Sequence, residues 1–138
     1  MADNYCQATI SPELPAALFN AEELRALEMA CGLSWEKIND NLYFFADTSF
    51  REEGEDDEGS PVDCLALMQA KLRQLDPAAY PRITIQGAGT CSKMRPDEFG
   101  GIAHLITRDT VRSMSTWQWL EEQTSRDDSQ LRGRPVIT

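Results

Sequence analysis

Apolar residues recur at helical spacing in two stretches of this chain and alternate in several others. Leu24, Leu27 and Cys31 fall on one face of a stretch that Asn20 opens and Gly32 stops. Asn20 with Glu23 three residues later has the spacing of a capping box, and Phe19 and Leu24 stand where a hydrophobic staple closes. A second stripe runs through Leu65, Met68, Leu72 and Leu75. Ser60 reads as its N-cap, Pro61 as its first residue and Asp63 as a first-turn acid, and Asp76-Pro77 ends it. A third helix is expected after Ser115, with Gln118 at N3, Trp117 and Leu120 on one side, and Trp119 pointing away as the more exposed tryptophan.

Between the helices the period changes. Residues 4–10, NYCQATI, read as a strand that Ser11-Pro12 and Pro15 terminate. Residues 34–38 and 42–46 flank Asn39-Asp40-Asn41, so a β-hairpin is expected, with Leu42, Phe44 and Ala46 on one face and Tyr43 and Phe45 on the other. Residues 82–86 form a strand with Ile83 and Ile85 on one side, and 101–108 and 110–114 form two more around Asp109. The order β-α-β-β-α-β followed by β-β-α predicts an α+β fold. Its expected core is ferredoxin-like βαββαβ with helices on one face, extended by a hairpin and a C-terminal helix. Residues 1–123 would form one domain, and 124–138, which lacks periodicity, a flexible tail.

Charge changes the picture more than composition does. A chain of 138 residues with 41% hydrophobic and 26% charged residues is an ordinary single domain. Its net charge of −10, from 13 basic and 23 acidic residues, disfavours direct nucleic-acid binding and anionic membranes. The longest apolar runs are too short to span a bilayer, and MADNYCQ lacks the basic-then-apolar pattern of a secretory signal, so the cytoplasm is the expected location. The cysteines at 6, 31, 64 and 91 form no C-x-x-C pair and are expected to be reduced. Cys31 and Cys64 would serve as small hydrophobes on helix faces. Only His104 could join them at a metal, and their spacing suits none, so no cofactor is expected.

Several stretches carry candidate chemistry. Glu52, Glu53, Glu55, Asp56, Asp57 and Glu58 place six acids in seven residues, which predicts an extended, mobile loop able to dock on a basic protein. The run lacks the ligand positions of a calcium loop. Gly87-Ala88-Gly89-Thr90-Cys91-Ser92 follows a strand but lacks the third glycine and the helix start of a phosphate loop. A bend or bulge there is the expected role of its glycines. Cys91 and His104 could act as nucleophile and base if their strands bring them together, with Asp97 or Glu98 as the orienting carboxylate. His104, however, shares its strand face with Ile102 and Ile106, the place of a structural histidine. In the loop 92–101, Lys93, Arg95 and Phe99 above a Gly100-Gly101 floor suggest an alternative small-ligand or anion site, with Arg108 and Arg112 as further local cations. The competing expectation pairs Arg95 with Asp97 or Glu98 and uses Phe99 to plug the sheet end.

The segment TCSKMRPDEFGGIAHLITRDTVRSMSTWQWL, residues 90–120, resembles a group of small bacterial accessory proteins that share TCSK-x-R-x-x-EFGG, a strand and ST-x-x-WL. Several members are associated with plasmids or integrated elements, and no activity is known for the group. The resemblance implies an inhibitor of host defence, of the anti-CRISPR or antirestriction kind. With the charge, it leads to the expectation of a non-enzymatic, acidic protein-binding inhibitor or regulator. Residues 52–58 and Trp119 would contact the basic surface of a nucleic-acid-binding complex.

Overall fold

The structure, a computed structural model, describes residues 4–133. Its strands are β1 (Asn4–Ser11), β2 (Leu14–Pro15), β3 (Ser34–Ile38), β4 (Asn41–Ala46), β5 (Glu53–Glu55), β6 (Pro61–Asp63), β7 (Ile83–Cys91), β8 (Gly100–Ile106) and β9 (Val111–Ser115). Its helices are α1 (Ala21–Cys31), α2 (Cys64–Leu72) and α3 (Thr116–Gly133). The fold is α+β: an antiparallel seven-stranded sheet, a separate β5–β6 hairpin and three helices, the last at the C-terminus.

Register explains the layout. β3 occupies one edge of β4 from Asn41 to Phe45, so β1 and β2 must share the other. The sheet therefore runs β3–β4–β1/β2–β7–β8–β9. Strand alternation puts Ala8, Ile10, Leu42, Phe44, Ile83, Ile85 and Ile106 on one face, where they bury against Leu27, Ala30 and Cys31 of α1 and Met68 and Leu72 of α2. The opposite face carries Gln7, Thr9, Tyr43, Phe45 and Gln86, with the Tyr43 and Phe45 rings stacked at 5.5 Å.

The first helix forms as its sequence predicts. Asn20 Oδ1 accepts from the Glu23 N–H at 2.8 Å, and Glu23 Oε1 accepts from the Asn20 N–H at 3.0 Å. Gly32 takes a left-handed φ of 71°, which suits a residue without Cβ. Three local expectations are corrected. Asp63, not Ser60, caps α2 by accepting from the Ala66 N–H at 3.0 Å. Pro61 instead pairs with Glu55 across the β5–β6 hairpin, whose closure prevails over a helix start. The glycines of β7 make no bulge: its register with both β1 and β8 is unbroken. Gly87 instead admits its neighbours, since a Cβ there would stand 2.8 Å from Ile102 Cγ1 and 2.9 Å from the Gln7 carbonyl.

The tail expected from residue 124 is helical to Gly133, and residues 134–138 lie outside the described ones. Its polar residues leave no packing periodicity but do not oppose a helix, and Gln118 and Glu122 bond one turn apart. Ser115 caps the helix by accepting from the Gln118 N–H at 3.1 Å. The two tryptophans do not divide into core and surface: Trp117 is 47% and Trp119 48% exposed, on a helix whose residues from Thr116 to Gln130 are nearly all exposed. Among the described residues no helix is long and apolar enough to cross a membrane.

Candidate functional site

The acidic run is an ordered hairpin, not an extended mobile loop. Asp56 folds it: Oδ1 accepts from the Glu58 and Ser60 N–H groups, both at 2.9 Å, and the Asp56 N–H donates to the Ser60 carbonyl at 2.9 Å. Asp57 pairs with Arg25 of α1 at 2.9 Å, which offsets part of the like-charge repulsion. Gly54 lies so close to the Ala30 carbonyl that any Cβ would collide with it. The six acids thus have different tasks. Asp56 builds the turn, Asp57 faces Arg25 and Glu52 turns inward. Glu53, Glu55 and Glu58 are exposed and make no ion pair among the described residues.

Glu52 roots the hairpin in the sheet. Its carbonyl accepts from the Cys64 N–H at 2.8 Å, and its Oε1 lies 3.1 Å from His104 Nε2. His104 is 7% exposed, and its Nδ1 lies 2.7 Å from Ser113 Oγ. Thus a side chain 52 positions away in sequence meets the histidine that shares its face with Ile102 and Ile106. Sequence reasoning missed both partners of His104. Ser113 could have been found, because it lies opposite His104 in the hairpin around Asp109; nothing local signals Glu52.

Beneath this root lie Cys31 and Cys64, both fully buried. The hydrogen bond that the Cys64 thiol donates to Cys31, together with burial, holds Cys64 well above its ordinary range. Such a thiol is a packing group.

The other candidate residues do not come together. Cys91 pairs with Asn4 at the end of β7, whereas His104 lies opposite Ile85, six positions back. At ~3.3 Å per residue the two are about 20 Å apart, too far for nucleophile and base. Asp97 and Glu98 lie in the 3-10 turn after Arg95, at the Cys91 end and away from the histidine. Lys93 and Arg95 are exposed, and Arg95 forms no ion pair with Asp97 or Glu98 among the described residues. Phe99 is half-buried.

The expected Gly100-Gly101 floor is covered. A Cβ on Gly100 would stand 3.0 Å from Trp117 Nε1, and the Gly101 N–H donates to Thr116 Oγ1 at 2.9 Å. Arg108 is held inward by the Tyr80 and Leu75 carbonyls at 3.0 and 2.9 Å. Comparison with known proteins finds no matching family model, curated protein or solved structure.

What the fold does assemble is a division of charge. Residues 1–63 hold fifteen acids against three bases, and residues 64–138 eight against ten. β3, β4 and β1 belong to the first group and β7, β8 and β9 to the second, so the division follows the order of the sheet. The hairpin on α1 adds Glu53, Glu55 and Glu58 to Glu22 and Glu28, both exposed on that helix.

Proposed function

We propose that this protein is an acidic protein-binding inhibitor or regulator. It would occlude the basic surface of a nucleic-acid-binding complex, with the β5–β6 hairpin as the contact. The supporting observation is that Glu53, Glu55 and Glu58 are exposed and make no ion pair among the described residues, on a hairpin fixed by Asp56, Arg25 and Gly54. Pre-positioned acids lose little conformational freedom on binding, and their field speeds encounter with a basic partner. The resemblance to accessory proteins of mobile elements favours a host-defence complex as the target, and a cytoplasmic location belongs to the same reading. Within this reading Glu53, Glu55 and Glu58 are the contact acids, because Glu52 and Asp56 already bond within the fold, and Trp119 lies on α3, outside the hairpin.

The fold can be read more finely within this proposal. The order β7–β1–β4–β3 is antiparallel throughout, with α1 between β1 and β3 in the chain and α2 between β4 and β7. This order supports reading β1, α1, β3, β4, α2 and β7 as a ferredoxin-like βαββαβ core, with β8 and β9 as additions beyond β7 and the acidic hairpin as an insertion before α2.

Affinity capture from the source cells, followed by titration of the captured protein at two salt concentrations, tests the contact. Glu53→Lys, Glu55→Lys and Glu58→Lys together should weaken binding more than ~10-fold and flatten its salt dependence. Unchanged affinity and salt dependence would remove the hairpin from the interface.

A further inference from the structure

The contacts of His104 fix more than the position of the hairpin. An ionised carboxylate only accepts hydrogen bonds, so the bond to Glu52 Oε1 places a proton on His104 Nε2. In the neutral ring Nδ1 is then bare, and the Ser113 hydroxyl 2.7 Å away must donate to it. A serine hydroxyl aimed at an imidazole lone pair, with a carboxylate fixing the tautomer from the other side, is the relation of nucleophile, base and orienting group in acyl-transfer enzymes. His104 is buried, whereas Ser113 is exposed on β9, at the free edge of the sheet.

The backbone adds a donor beside the hydroxyl. At the β8–β9 turn the Thr107 N–H donates to the Thr110 carbonyl at 2.8 Å, which makes 107 and 110 a hydrogen-bonded pair. Such pairs alternate with non-bonded ones along an antiparallel ladder. In this register 105/112 is therefore bonded and 104/113 is not. The N–H of Ser113 consequently points away from β8, across the open edge. Side chains of a non-bonded pair also approach closely, which agrees with the short Oγ–Nδ1 separation.

We infer that Ser113, His104 and Glu52 form an acyl-transfer site for small carboxylic esters, a function separate from partner binding. As Ser113 Oγ bonds to the ester carbonyl carbon, its proton passes to His104 Nδ1, and the carbonyl π pair moves onto oxygen beside the Ser113 N–H. Collapse breaks the bond to the alcohol, which takes the proton from Nδ1 as it leaves. Water then attacks the acyl-serine with His104 as base, releasing the acid and restoring the hydroxyl. The acids of the hairpin that Glu52 roots make neutral or cationic esters better substrates than anionic ones.

The test treats the full chain with an alkyl fluorophosphonate, which bonds phosphorus to serine oxygen as fluoride leaves, and maps the adduct by mass spectrometry. Exposed Ser60 on the hairpin turn is the internal reference. Ser113 should react at least ~100-fold faster than Ser60, the advantage a positioned base confers. Glu52→Gln, with thermal melting to confirm folding, should slow that labelling at least ~10-fold, and Ser113→Ala should abolish burst hydrolysis of 4-nitrophenyl acetate. Labelling of Ser113 at the rate of Ser60, or labelling indifferent to Glu52→Gln, would leave the trio a structural clamp and overturn the inference. Glu53, Glu55 and Glu58 bias which ester approaches but are not members of the trio, and Ser113 and His104 lie outside the partner-binding contact, so either proposal can fail alone.

Discussion

Lys71 lies on the buried side of α2, and its Nζ stands 2.6 Å from Glu23 Oε2 and 5.3 Å from the centre of the Phe19 ring. The same carboxylate closes the capping box of α1 through its other oxygen. One side chain therefore caps a helix and neutralises the cation of its neighbour. Burial pushes the Glu23 carboxyl up, but hydrogen bonds from Lys71 and the Asn20 backbone outweigh this and hold it below its ordinary value. With the folded value depressed, the unfolded chain binds more protons in the acid range. The stabilisation is therefore present above the ordinary carboxyl pKa and lost as pH falls through the folded one. Glu23→Ala should cost about 1–3 kcal/mol, from a lost cap and an unpaired buried ammonium, in urea unfolding at neutral pH. The difference from the parent protein should shrink on acidification.

At the scale of elements, the hairpin shows where sequence reasoning succeeds and where it stops. Asn20, Glu23 and Gly32 act through bonds made within a few residues, and helix α1 was legible from them. The β3–β4 hairpin was legible for the same reason, with Asn39 taking a positive φ of 56° at its turn. The acidic run was not, because charge density argued for extension while the forces that fold it come from elsewhere: Arg25, the Ala30 carbonyl and His104. Gly54 is the point at which that docking can be tested. Gly54→Ala would drive a methyl group into the Ala30 carbonyl, so the hairpin should lift from α1 while the sheet survives. Hydrogen exchange should then show faster exchange confined to residues 52–63, with the amides of β1 and β7 unchanged.

Across the whole molecule, charge and apolar exposure lie at different places. The acidic half includes the hairpin and α1, while Met114, Trp117, Trp119 and Leu120, each about half exposed, cluster where β9 passes into α3. The layer structure was legible because Leu42, Phe44, Ile83 and Ile85 alternate as strands with a buried face must. The candidate site was legible only in part. Its acids were visible as a run, but their separate tasks depend on residues that only the closed fold brings near. His104 shows this best, since its two partners lie nine residues after it and 52 before it.

The Cys64 N–H to Glu52 carbonyl bond, 2.8 Å long, joins the two ends of the hairpin where they meet. An insert whose ends already touch is a cassette, exchangeable without moving the frame that holds it. Replacing residues 53–62 with a short glycine linker should preserve the sheet and its cooperative unfolding while removing the exposed acids, measurable by thermal melting beside a binding titration. If the hairpin is the contact, recognition diversifies on this one projection while the scaffold beneath it stays constant, and a change of target needs only these ten residues to be traded.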